Sequence, residues 1–231
     1  MPGWQQGTVA PEPPVRLVGV PSQEVAAPRR RRRSREEAER EILDAAAALL
    51  RERPLHEVSV SAIMEDTTLS RKSFYVYFRD RYELLTRLFE PVRRELDQAN
   101  ALFLTRPTGD LVTDTRAALL AVTSFFAGRD GALVRALHEA SAYDEEAARV
   151  WREFNEPVIA AFTAFNRREV EAGRYPGGLD VEGTVRALVG MNLFCFFDQV
   201  VGNPAANVEA ISETLFRVWA RTFLLADPPP A

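Results

Sequence analysis

Ser70, Arg71, Ser73 and Tyr77 fall on the polar side of a short segment whose other side carries Phe74 and Phe78. Just before it, Val60, Ile63 and Met64 recur at helical spacing behind Ser59, and Thr67-Thr68-Leu69 joins the two segments. Two short helices joined by three or four residues form a helix-turn-helix. In such a unit the first helix braces on the DNA backbone, and the second lies in the major groove with polar side chains at base edges. Ile63, Leu69, Phe74 and Phe78 can close a small core beneath it, so Ser70, Arg71, Ser73 and Tyr77 face outward. The chemistry these residues suit is recognition of duplex DNA.

No pattern points to catalysis, a metal or a cofactor. His56 and His138 are the only histidines; each precedes a glutamate, but neither continues as His-Glu-x-x-His. There is no Gly-rich phosphate loop. The single cysteine, Cys195, sits in an apolar run and reads as a small buried hydrophobe. It leaves no disulfide framework or multi-thiolate site to build. Asp144, Glu145 and Glu146 stand at a helix start, where the dipole accounts for them. The chain is expected not to be an enzyme.

The net charge of −4 hides an asymmetry. Residues 29–94 carry 16 Arg and Lys against 12 Asp and Glu, whereas residues 95–231 carry 12 against 19. A basic first third beside an acidic remainder implies that one part meets an anion and the other does not. The first 28 residues lack a cationic start with an apolar run, and the apolar stretch 187–201 is shorter than the ~20 residues of a membrane span. No membrane partner and a cytoplasmic location are expected.

Elements must position these groups. Residues 1–33 read as a disordered tail ending in a basic arm, Arg29 to Arg33. Ser34-Arg35-Glu36-Glu37 fits a capping box, and Ile42, Ala45, Ala46, Leu49 and Leu50 form one helical face that Pro54 ends. After the two short helices, Asp80 starts a long helix to about residue 105, with Pro91 inside it. Further helices are expected at about 109–127, 131–142, 145–172, 180–201 and 205–225, with Asn203-Pro204 opening the last. No segment alternates with period two. The fold class is all-α: a three-helix reading domain over 34–80, then a larger helical domain over 81–231, about nine helices in all.

The run Thr67 to Phe78 followed by Arg81-Tyr82-Glu83-Leu84-Leu85 resembles the DNA-binding domain of TetR-family repressors, with Phe-Tyr-x-Tyr-Phe its most specific part. Within the family it is most similar to the mycobacterial ethionamide-regulator branch. The resemblance implies that Arg71, Lys72 and Ser61 meet base edges. It implies phosphate contacts from Ser59, Ser73, Tyr75, Tyr77 and Arg81, and places Ser70 at the helix start. Thr68 stands where the turn usually has glycine, which predicts a residue at positive φ. Met64 replaces a small residue, and Arg81 replaces a lysine.

The resemblance further implies a homodimer through the last two helices, reading a roughly palindromic double-stranded operator. It also implies a cavity among the middle helices for a small hydrophobic effector. Candidates for its walls come from an aromatic set that includes Phe126, Phe162, Phe165 and Phe194. Phe125, Trp151, Phe154, Asn192, Phe196 and Trp219 are singled out, Asn192 as the polar group. Two other readings stay open on the residues alone: a helical small-molecule-binding protein, and a regulator acting through a protein partner without specific DNA binding.

Overall fold

Ser34 opens the first helix with the expected capping box: its Oγ accepts the Glu37 N–H at 3.0 Å, and Glu37 Oε2 accepts the Ser34 N–H at 2.8 Å. The structure, a computed structural model, describes residues 34–224. The tail and basic arm expected over residues 1–33 lie outside the described residues. Helix α1 (Arg35–Glu52) buries Ile42, Ala45, Ala46, Leu49 and Leu50. A 3₁₀ turn at Leu55–Glu57, absent from the expectations, follows Pro54. Helices α2 (Val60–Glu65) and α3 (Arg71–Tyr77) then form the helix-turn-helix over buried Ile63, Phe74 and Phe78. Asp80 caps α4 (Arg81–Thr105) through the Tyr82 and Glu83 N–H groups.

The remaining helices are α5 (Leu111–Ala127), α6 (Gly131–Ala140), α7 (Glu145–Glu171), α8 (Val181–Cys195) and α9 (Val208–Trp219). The described residues contain no strand. Helix α4 packs on α5 and α7, α5 on α9, and α7 on α6 and α8, with one hydrophobic core running through them. The described residues from Ser34 onward form one compact unit, and Asp80, where the domain boundary was expected, is the N-cap of α4. No single described helix is long and apolar enough to cross a membrane.

Three local features depart from expectation. Helix α9 starts at Val208 behind Asn207, whose side chain accepts the Ala210 N–H; Asn203 instead closes a turn with the Ala205 N–H after left-handed Gly202. Helices α8 and α9 both end in wider π turns, Phe196–Val200 and Ala220–Leu224. Pro157 lies inside α7, where a proline has no N–H for the carbonyl four residues back. That carbonyl, Glu153 O, accepts from Arg93 Nη1 of α4 at 3.3 Å, and Phe154 O accepts from the same atom at 3.1 Å.

Candidate DNA interface and ligand cavity

Phe74 and Phe78 anchor α3 from below and leave its other faces to solvent. Arg71 and Lys72 are exposed, and Tyr75 is 59% exposed. Val76, at 64%, is the most exposed apolar side chain on the helix and was missed by a reading that looked for polar groups. Ser70 holds the N-cap position without capping; its Oγ pairs with the half-buried Ser73 Oγ at 2.9 Å. Ser59 caps α2 through the Ala62 N–H at 3.1 Å, and Ser61 is half-buried beside it. Tyr77 is half-buried, with the Arg35 guanidinium 6.0 Å from its ring centre.

Two expectations fail here. Thr68 is not at positive φ; among the described non-glycine residues only Arg106 is. The turn closes without a left-handed residue because Thr67 Oγ1 donates to Met64 O and accepts the Leu69 N–H, while Thr68 bonds Glu41. Arg81, placed among the phosphate contacts, points inward. It donates to Leu55 O at 3.1 Å, Val58 O at 3.4 Å, the Tyr82 hydroxyl at 2.9 Å and Asp144 Oδ2 at 3.2 Å. Loop carbonyls and a carboxylate on the inner side claim its donors.

Asp144 caps α7 and also accepts the Tyr82 hydroxyl at 2.8 Å. Burial works against its charge, but the Ala147 N–H, the Tyr82 hydroxyl and Arg81 together hold its carboxyl below the usual range. At the other end of α6, Arg51 of α1 meets Asp130 at 2.6 Å and Arg129 O at 3.2 Å. His56 and Tyr143 add an edge-on ring contact. The corners at both ends of α6 are thus tied to the reading head.

A cavity of about 80 Å³ lies between α4, α5, α7, α8 and α9, with Val134 of α6 in its wall. Trp151, Phe154, Asn192, Phe196 and Trp219, the candidates singled out from the sequence, line it. Phe125 does not. Its neighbour Phe126 does, stacked on Phe196 at 4.5 Å, because one residue turns a helix by ~100°. Phe194 points away, 67% exposed. Asn192 Oδ1 accepts the Trp219 indole N–H at 3.2 Å. Asn100, Thr115 and Asn155 were missed as polar wall groups. The signal for Asn100 was available: Leu96, Asn100 and Phe103 share one helical face. Burial pushes the His138 imidazole pKa down, and that ring sits between Trp151 and Phe197 at 4.9 and 5.0 Å.

The model of bacterial regulatory proteins of the tetR family matches residues 42–88, and the tetracyclin repressor-like C-terminal domain matches residues 105–225. The HTH-type transcriptional regulator EthR of Mycobacterium tuberculosis is 30% identical over 197 residues, spanning 83% of this chain and 91% of EthR. The chain belongs to the TetR family of transcriptional regulators. Solved TetR-like folds agree. FadR of Bacillus subtilis, in complex with stearoyl-CoA, superposes with a TM-score of 0.65 at 17% identity, covering 78% of this chain and 96% of FadR. Salmonella enterica GusR does so at 0.66 and 19%, covering 82% and 97%.

TetR-family regulators bind operator DNA and small-molecule effectors and act as dimers. Unpartnered apolar side chains on the last helices are Phe194, 67% exposed, and Val218, 37% exposed.

Proposed function

We propose that this regulator is a one-component repressor whose dimer leaves a palindromic operator when a hydrophobic effector fills the cavity. Residues 34–80 read DNA and residues 81–231 sense the effector and dimerise through α8 and α9, in the cytoplasm. Arg71 and Lys72 approach base edges, Val76 offers apolar contact to a thymine methyl, and Ser59, Ser70, Ser73, Tyr75 and Tyr77 hold phosphates.

The observation that carries this reading is the placement of α6. The corners at its ends are tied to the reading head through Arg51–Asp130 and Arg81–Asp144, while Val134 stands in the cavity wall. Ligand pockets for drug-sized molecules run to ~300–1,000 Å³. The 80 Å³ here must grow on binding, and the wall that carries Val134 moves with the head. The effector must favour the altered conformation by differential affinity, or nothing shifts. A gel-shift assay on the DNA upstream of the gene tests the reading: wild-type protein should bind, Arg71→Ala should bind more weakly by ~1–3 kcal/mol, and monomeric protein indifferent to that DNA at low salt would overturn it.

A further inference from the structure

The α4–α7 seam leads outward from the cavity. Asn100, Val158 and Phe162 line both the cavity and an adjoining groove of about 310 Å³. Leu104 and Ala161 line both that groove and an outer depression whose remaining walls are Ala164, Arg167, Arg168 and Glu171. Positions 154, 158, 161, 164, 168 and 171 step by three and four along one face of α7, so these spaces form one trough. From Trp151 to Arg168 it runs for roughly 25 Å of helix.

The trough changes character along its length. Its inner part is aromatic. Arg93, beside Phe154 at the Trp151 end, is already committed to Asp97 and to two α7 carbonyls. At the outer end the Arg167 and Arg168 guanidiniums are exposed and make no ion pair or hydrogen bond among the described residues. Glu171 there offsets one of the two charges. Most other surface arginines of this bundle are paired with a carboxylate, as Arg149, Arg174 and Arg186 are.

From this layout we propose that the effector is an anionic amphiphile: an apolar chain laid through the α4–α7 groove into the aromatic cavity, with a carboxylate or phosphate head against Arg167 and Arg168. The inference rests on the cavity being the effector site and adds the chemical class of its ligand. An apolar chain gains by leaving water along the inner walls, and a planar guanidinium suits either oxyanion.

Trp151 and Trp219 in the cavity wall report the tail directly by fluorescence. Titration of the full chain with dodecanoate, dodecyl phosphate and uncharged dodecanol, below their aggregation limits, compares heads on one tail. The anions should bind about tenfold more tightly than the alcohol, as two exposed charge contacts allow, and the advantage should shrink with salt. In the Arg167→Ala/Arg168→Ala variant the anions should fall to the alcohol's affinity, with dodecanol and operator binding unchanged. Preference for one anion alone identifies the head, free acid or phosphate carrier. Equal binding of all three, or a preference that survives in the variant, overturns the proposal and leaves the cavity reading intact. Failure of all three to bind removes both.

Discussion

Arg81 at the start of α4 and Asp144 at the start of α7 meet at 3.2 Å, with the Tyr82 hydroxyl bonded to both. An arginine on the edge of a DNA-reading unit thus serves to fasten that unit to a cavity helix. Phosphate contacts reveal themselves in the salt dependence of binding, each adding about one to the slope of log K against log salt. Arg81→Ala should therefore leave that slope at the wild-type value. Asp144→Asn, which keeps a capping acceptor but loses the charge, should bind operator as before and release it less completely when effector is added. A slope lowered by Arg81→Ala would return that residue to the DNA surface.

A second carboxylate fixes the opposite end of the bundle. Glu169 is buried and paired with Arg174 at 2.6 Å and Arg106 at 2.5 Å. Arg174, working against burial and helped by Arg106, pushes its carboxyl pKa down to about 2 from 4.5. A folded-state pKa below the unfolded one contributes stability at pH values above 4.5, and that contribution disappears as pH falls toward 2. Glu169→Gln should cost on the order of 2–3 kcal/mol at pH 7. The gap between the two proteins in urea unfolding should narrow by roughly half at pH 3. A gap that does not change with pH would show that the loss comes from packing.

What the sequence disclosed followed the period of its apolar residues. Ile42 to Leu50 defined one face of α1, and Phe74 and Phe78 had to lie under α3, so the helices and the reading head were legible. Choices between equivalent neighbours were not. Helix α5 is apolar around much of its surface, so its pattern could not decide whether Phe125 or Phe126 faces the cavity. Asn203 and Asn207 are both competent caps, and the left-handed turn at Gly202 decided between them. Arg81 finds its carboxylate 63 residues away, a partner that only tertiary packing brings near.

Asn192 and Trp219 supply a test inside the cavity. The indole N–H donates to Asn192 Oδ1 at 3.2 Å, and both residues are buried. Asn192→Ala strands that donor and should cost about 1–3 kcal/mol in urea unfolding. Trp219→Phe in the same background removes the stranded group, so the double variant should be more stable than the sum of the two single losses predicts. The coupling should reach at least ~0.5 kcal/mol. Strict additivity would mean the bond is not formed in solution.

The dimer face proposed on α8 and α9 gives the last prediction. Phe194 is 67% exposed on α8 although Leu188, Asn192 and Phe196 of the same helical run are buried. A large aromatic side chain left in water gains most when a second chain covers it, and stable interfaces bury ~1,200–2,000 Å² in total. Phe194→Arg places a charge at that contact without touching the cavity wall or the reading head. Sedimentation should then show the monomer where wild type is a dimer. Affinity should fall for an operator whose half-sites lie ~34–36 Å apart, because each head must now bind alone. Since the residue is exposed in the single chain, the helical content of the variant should match wild type. A variant that stays dimeric at all concentrations would move the contact away from Phe194.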